Sequence, residues 1–78
     1  MEFSSEFSLN TSNLNYDFSV VLDGKTIACC VSREAIEDAG YDSVDEFYIC
    51  EKIRLGAAIQ RKLEQGDKPT IMISSKDL

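Results

Sequence analysis

The chain has 78 residues, of which 44 % are hydrophobic, and a formal net charge of −6. This size and composition predict one small globular domain over residues 1–78 and exclude a wholly disordered chain. The absence of histidine excludes Ser-His-Asp triads, Cys–His nucleophiles and histidine-bearing zinc sites. No apolar run approaches the roughly 20 residues of a membrane span, and the acidic start lacks the basic and apolar regions of a signal peptide. We therefore expect a cytoplasmic protein that does not contact membranes.

Acidic residues are concentrated in the first part of the chain and basic residues in the last part. Residues 1–50 contain ten acidic residues against two basic ones, whereas residues 51–78 contain four acidic and six basic ones. A surface built from the base-free segment 34–51 repels nucleic acid and anionic lipid and attracts basic partners. This predicts a protein partner, such as a basic nucleic-acid-binding protein, and no direct contact with nucleic acid. The seven carboxylates of the segment are Glu34, Glu37, Asp38, Asp42, Asp45, Glu46 and Glu51.

The first elements in chain order are a polar lead-in and a hairpin. Residues 1–14 are rich in Ser, Asn and Thr and allow a short edge strand around Phe3–Leu9. Tyr16–Leu22 alternates apolar and polar residues, which is typical of a half-buried strand. Asp23-Gly24 favours a type I′ turn, because glycine tolerates the positive φ that this turn requires, and Lys25–Val31 is the return strand. The side chains expected to face inward are those of Tyr16, Phe18, Val20, Leu22, Ile27, Cys29 and Val31.

Two helices are predicted after the hairpin. Ser32 suits an N-cap, so Arg33–Ala39 is a short helix that Gly40 ends in the left-handed conformation. The run Ser43-Val44-Asp45-Glu46 is a capping box, in which the serine oxygen accepts from the third helical N–H and the glutamate reaches back. It predicts a long helix that continues to about Gln65.

The long helix has apolar residues on two sides. Ile49 and Ile53 fall opposite the main apolar stripe, and one sheet cannot bury both sides of a helix. This second side is therefore expected to contact the short helix, the amino-terminal segment or another subunit, which leaves a homodimer open. Gly56 allows close approach of another backbone, either the sheet of the same chain or a second subunit. The main stripe consists of Val44, Phe47, Tyr48, Leu55, Ala58 and Ile59, with Leu63 at its margin.

The last predicted element is a strand. Thr70–Ser74 is a short β-prone run that can join the hairpin. The predicted order is β-β-β-α-α-β, with no linker and no internal repeat. A small antiparallel sheet with helices packed on one face satisfies this order. We therefore predict an α+β fold, with residues 16–78 as its core and residues 1–14 as the lead-in.

Five stretches of the chain together resemble a known family: Val20–Cys29, Val31–Asp38, Phe47, Lys62–Gly66 and Ile71–Leu78. The family is DUF1488, a group of small bacterial proteins in which an Asp-Gly hairpin leads to a cysteine-containing strand and the chain ends in Ser-x-Asp-Leu. The likeness covers most of the chain, although the Ser/Asn-rich amino end and the shorter gap before the last strand depart from the family pattern. The resemblance implies a compact α+β fold and a bacterial or prophage origin, and it implies no activity.

Little in the sequence indicates chemistry. Cys29 and Cys30 are adjacent in a strand and the number of cysteines is odd, so we expect reduced thiols that pack as small hydrophobes. A nucleophilic Cys30 near a helix start is the alternative. Pairs such as Asp45-Glu46 could hold Mg²⁺ or act as acid and base, but adjacent helical residues do not face each other, which favours a solvated surface. We expect no catalytic residue, no cofactor and no metal site.

Two functions follow from these observations. The first is a non-enzymatic, acidic protein-interaction or regulatory module, which accounts for the lack of chemistry and for the two-sided helix. The alternative is a phage or mobile-element inhibitor of the anti-CRISPR or anti-restriction type, whose acidic face imitates the phosphate backbone. A small enzyme is a third class, for which no residue gives a positive sign. The predicted partner-binding residues are Asp38, Tyr41, Asp42, Asp45 and Glu46.

Overall fold

The computed structural model describes residues 1–66 and 68–78, and within them it contains five strands, three α-helices and one 3₁₀ turn. Their order confirms an α+β fold in which helices follow a hairpin and precede the last strand. The strands are β1 (Glu2–Phe3), β2 (Ser8–Leu9), β3 (Tyr16–Leu22), β4 (Lys25–Val31) and β5 (Ile71–Ile73). The helices are α1 (Arg33–Ala39), α2 (Val44–Cys50) and α3 (Lys52–Glu64), and the 3₁₀ turn is Ser75–Asp77.

The predicted hairpin is confirmed in its bounds and its turn. β3 and β4 pair antiparallel from Tyr16 opposite Val31 to Leu22 opposite Lys25. The turn residues Asp23 and Gly24 have φ values of 52° and 79°, the pair of positive angles that defines a type I′ turn. The side chains that alternate inward from both strands form one wall of the core.

The predicted edge strand is present as two short pieces on the same side of β3. Glu2 of β1 lies opposite Val21, and Leu9 of β2 lies opposite Tyr16. Between β1 and β2 the chain leaves the strand ladder, but Ser4 stays in contact with β3. The Ser4 N–H donates to the Ser19 carbonyl at 2.9 Å, and the Ser4 Oγ accepts from the Ser19 N–H at 3.1 Å. The polar residues of this segment therefore satisfy the backbone where the ladder is interrupted.

The expectation of an antiparallel sheet is wrong for the last strand. β5 pairs parallel with β4, with Cys29 opposite Ile71 and Val31 opposite Ile73, so the sheet is mixed. Because α1, α2 and α3 intervene, the chain returns across the sheet and re-enters it in the direction of β4, as a helical crossover does. The strand order is β1-β3-β4-β5, with β2 also on β3.

The predicted long helix is interrupted at one residue. Glu51 has φ −100° and ψ 11° and separates α2 from α3, although backbone bonds from Glu51 to Phe47 (2.9 Å) and from Leu55 to Glu51 (2.8 Å) continue across it. Both predicted serine N-caps are present, but of the predicted capping box only the Ser43 half is found among the hydrogen bonds of the described residues. The Ser32 Oγ accepts from the Ala35 N–H at 3.2 Å, and the Ser43 Oγ accepts from the Glu46 N–H at 3.1 Å.

The core lies between one face of the sheet and the three helices. The amino-terminal segment completes it with aromatic rings: the Phe7 ring stacks on Tyr48 at a centroid distance of 4.4 Å, and Phe3 meets Tyr48 edge-on at 6.0 Å. Among the described residues, no helix has the length and apolar character needed to cross a membrane. The buried core residues are Phe18, Val20, Cys29, Val31, Ala35, Ile36, Phe47, Tyr48, Leu55, Ala58, Ile59, Ile71 and Ile73.

Candidate functional site

The predicted partner-binding carboxylates lie around the start of α2. Asp38 belongs to α1, Asp42 to the following loop, and Asp45 and Glu46 to the first turn of α2. All four are exposed, and no described lysine or arginine forms a salt bridge with them. Asp45 and Glu46 are also favourably placed for the helix, because negative charge near a helix N-terminus is stabilising. Their exposure leaves these carboxylates free to meet a basic partner.

Tyr41, the fifth predicted residue, is held by internal contacts. Its hydroxyl donates to Oε1 of Glu51 at 2.7 Å, and its ring packs edge-on against Phe47 at 6.0 Å. The hydrogen bond to Glu51, together with burial and the nearby carboxylate charge, raises the pKa of the Tyr41 hydroxyl. These contacts give the tyrosine a role in the fold, while its role in partner binding stays a prediction.

Glu51 is the one charged side chain among the described residues that is buried, with 6 % of its surface exposed. Its second oxygen, Oε2, pairs with Nη1 of Arg54 at 3.3 Å. Glu51 itself lines a cleft of about 170 Å³, together with Asp38 and Arg54. Because both oxygens of the buried carboxylate have partners, Tyr41 on one and Arg54 on the other, the cost of burying this group is offset.

Three of the four basic residues of α3 contact the last turn, Ser75–Asp77, and the residue after it. The Arg61 guanidinium donates to the Asp77 carbonyl at 2.8 Å, Arg54 donates to the main-chain oxygen of Leu78, and the Lys62 ammonium lies 3.3 Å from Oδ2 of Asp77. That same Oδ2 accepts from the Ser74 N–H at 2.8 Å, which closes a capping box on the 3₁₀ turn. These contacts occupy cations that could otherwise bind an external anion.

The carboxylate of Asp77 has a shifted pKa because of these contacts. Burial alone would raise it, but the N–H of Ser74 and the ammonium of Lys62 favour the charged form more strongly, so the pKa of Asp77 lies below its usual value. In the sequence this residue is the aspartate of the terminal Ser-x-Asp-Leu pattern, which by itself assigns it no role. The structure places it in the joint between α3 and the last turn.

The three cysteines are reduced, and two of them are buried. Burial raises the pKa of Cys29 to about 12 and also raises that of Cys30, so neither thiol forms a thiolate readily. The Cys30 sulfur lies 3.3 Å from the Met72 sulfur on the open face of the sheet. This confirms the packing of Cys29 and Cys30 as small hydrophobes and disfavours the nucleophilic alternative.

The most exposed large hydrophobic side chains of the described residues lie on the helices. Ile49 and Ile53 are 67 % and 88 % exposed, so neither the short helix nor the amino-terminal segment covers this side, and contact with another subunit stays a prediction. Ile53 borders an open groove of about 370 Å³ between α3 and the amino-terminal strand, whose other members include Met1, Phe3 and Gly56. We call Ile49 and Ile53 the isoleucine face. The helical pattern located this face, but it did not decide whether the chain itself covers it.

No group of three or more Cys, Asp or Glu side chains among the described residues is arranged to hold a metal ion. Comparison of the chain with protein-family models, with curated proteins and with solved structures finds no match. The resemblance to DUF1488 therefore stays a prediction, and the function has to be argued from the geometry alone.

Proposed function

We propose that this protein is a non-enzymatic interaction module that docks a protein partner through the isoleucine face. The observation that carries the proposal is the exposure of Ile49 and Ile53 one helical turn apart on the same side of the α2–α3 unit. Covering a side chain of this size contributes about 1.5–3 kcal/mol. Two such anchors in one small patch suit the few residues that dominate a typical interface.

The acidic rim favours a basic partner. Asp45 and Glu46 precede Ile49 by four and three residues, so their side chains lie on the neighbouring turn of the same helical face. Charges at the edge of an interface act mainly on the rate of association and on the choice of partner. The apolar centre would supply the affinity and the carboxylates the selectivity.

A second function is favoured by the exposure of Asp38, Asp42, Asp45 and Glu46 without basic partners among the described residues. It is the nucleic-acid mimic, a phage or mobile-element inhibitor of the anti-CRISPR or anti-restriction type. Membership of DUF1488, with its bacterial or prophage origin and a cytoplasmic location, is compatible with either function. The two functions differ in which residues supply the binding energy. A mimic depends on its carboxylates, and its affinity for the partner falls steeply as the salt concentration rises.

The test is affinity capture from a bacterial lysate with matched variants, at about 0.15 M and about 1 M salt. The docking variant is Ile49→Ser with Ile53→Ser, and the mimic variant is Asp42→Ser, Asp45→Ser and Glu46→Ser. The control is Val21→Thr, which alters an exposed β-branched residue on the open face of the sheet.

The docking function predicts a partner that is retained at both salt concentrations by the wild type and the control and is lost with the docking variant. A partner that is lost at high salt and with the mimic variant, but kept by the docking variant, would support the mimic instead. Retention of the same partner by all four proteins would contradict both functions.

A further inference from the structure

Two sulfur atoms meet on the face of the sheet that the helices leave open. Strand pairing places Asp17 of β3 opposite Cys30 of β4, and Cys30 opposite Met72 of β5. Cys29 and Ile71, which precede two of these residues, belong to the core, so the row of three side chains points to the other face. There the Cys30 Sγ lies 3.3 Å from the Met72 Sδ. A thiol and a thioether from two different strands are therefore already adjacent.

Met72 opens this sulfur pair to solvent. Met72 is 45 % exposed, whereas Cys30 next to it is 6 % exposed. The other hydrogen-bond contact of the Met72 sulfur among the described residues is the Asn15 Nδ2 at 3.9 Å, which is too long to hold the side chain firmly. Because methionine is unbranched and has several rotatable bonds, its side chain can move aside to admit an ion and then close over it.

The two sulfur ligands select the kind of ion. Thiolate and thioether are soft donors, which favour Cu(I) over hard ions such as Mg²⁺ and Ca²⁺. Cu(I) accepts few ligands, whereas a structural Zn²⁺ site needs a full tetrahedral set. A metal–thiolate bond is about 2.3 Å long, so two sulfurs on one ion lie at most about 4.6 Å apart. The separation of 3.3 Å between the Cys30 and Met72 sulfurs falls within this span.

The local charge favours a cation at this point. Burial and the negative charge of Asp17 raise the pKa of the Cys30 thiol, so the free thiolate is disfavoured. When Cu(I) binds, the thiol proton is released to water and the ion takes its place. The thiolate–copper pair is then as neutral as the thiol was, so burial does not oppose it as it opposes the free thiolate, and the Asp17 carboxylate attracts the cation.

We propose that Cys30 and Met72 form a binding site for Cu(I) on the open face of the sheet, with Asp17 as the neighbouring negative charge. The Cys30 thiolate and the Met72 thioether are the ligands, and the ion keeps its oxidation state. The sequence predicts no metal site, because the parallel pairing of β5 with β4 that brings Met72 beside Cys30 was not expected. The site lies on the side of the sheet away from the helices, so this inference does not depend on the docking function.

The test uses the full chain with Cys50→Ser, because the exposed Cys50 thiol would bind a soft ion by itself. Cu(I) is supplied without oxygen as its coloured complex with bicinchoninate, and the colour falls as the protein takes up the ion. In this background Met72→Leu and Cys30→Ser each remove one ligand, and Val21→Thr on the same sheet face is the control. The methyl signals of Met1 and Met72 are followed by NMR during the titration.

The Cys50→Ser protein is expected to take up one Cu(I) per chain, with a shift of the Met72 methyl signal and none of the Met1 signal. Met72→Leu is expected to lower the affinity for Cu(I) about tenfold or more and Cys30→Ser to abolish uptake, with Val21→Thr unchanged. Equal affinity in Met72→Leu, a conservative change at a partly exposed position, or an unmoved Met72 signal would overturn the proposal. So would a lack of uptake by the Cys50→Ser protein, because the exposed thiol alone would then account for any binding by the wild type.

Discussion

The Tyr41 hydroxyl donates a 2.7 Å hydrogen bond to Oε1 of Glu51, and this bond joins the loop after α1 to the junction of α2 and α3. It supplies a partner for the one buried carboxylate among the described residues and fixes the tyrosine ring against the core. The loop that carries Asp42 is therefore held at its base by a specific contact. The acidic surface and the helix junction form one connected unit.

Loss of the Tyr41 hydroxyl is expected to destabilise the fold. In Tyr41→Phe the ring contact with Phe47 remains, but Oε1 of Glu51 loses its donor inside the protein, and an unsatisfied buried acceptor is costly. The midpoint of urea denaturation is expected to fall. Tyr16→Phe, at a half-buried position in β3, is the matched control, and equal midpoints for the two variants would contradict the role given to the Tyr41–Glu51 bond.

Replacement of Gly56 by alanine is expected to stabilise the protein by about 0.5–1 kcal/mol, because glycine is the poorer helix former. The added methyl group meets the Met1 and Phe3 side chains at 3.6 and 3.7 Å, which is ordinary van der Waals contact. The free energy of unfolding from urea titration measures the effect. The reverse change one residue later, Ala57→Gly at an exposed position, is expected to cost a similar amount. A loss of stability in Gly56→Ala would show that the space between Gly56 and the Met1 and Phe3 side chains must stay empty.

The contribution of Asp77 to the stability of the fold is expected to be lost at acid pH. Its pKa is lowered by folding from an ordinary value of 3.8, so its stabilisation is complete above that value and is lost as pH falls through the lower folded pKa. Near neutral pH, Asp77→Asn is expected to lower the free energy of unfolding by about 0.5–1.5 kcal/mol, because the hydrogen bond to the Ser74 N–H weakens and the ion pair with Lys62 is lost. Urea titrations from pH 6 to about pH 2 should show the gap between wild type and variant closing below about pH 4. A gap that stays constant over this range would contradict the assignment.

Thiol reactivity is expected to separate Cys50 from the other two cysteines. Cys50 is exposed at the end of α2, whereas burial disfavours the thiolates of Cys29 and Cys30. A disulfide reagent should therefore modify one thiol per chain rapidly in the native protein and all three in denaturant. Rapid modification of a second thiol without unfolding would show that the strand bearing Cys30 opens in the native state.

Local chemistry explains which parts of the fold the sequence could predict. The Asp23-Gly24 turn and the serine caps are set by backbone angles and hydrogen bonds within a few residues, so the sequence pattern was sufficient. The direction of β5 depends on how three helices cross the sheet, and the interruption at Glu51 coincides with side-chain contacts to Tyr41 and Arg54. Neither relationship is visible in a window of neighbouring residues.

The candidate site was predictable in part for a similar reason. The composition of the chain located the acidic segment around Asp42 and Asp45. Because charged residues that lack an internal partner stay at the surface, their exposure could be predicted as well. The helical period placed Ile49 and Ile53 on a second side, but whether the chain covers that side depends on where α1 and the amino-terminal strand pack. The sequence predicts Tyr41 as a partner-binding residue, and only the three-dimensional contact with Glu51 shows that it also serves the fold.

The most direct measurement of the central claim combines stability and partner retention in the Ile49→Ser, Ile53→Ser variant. Because both side chains are mostly exposed, the free energy of unfolding is expected to change by no more than about 0.5 kcal/mol at each site. The account predicts that this stably folded variant loses the protein that the wild type retains at about 0.15 M and about 1 M salt. Undiminished retention of that protein by the folded variant, or no retained protein with the wild type, would contradict it.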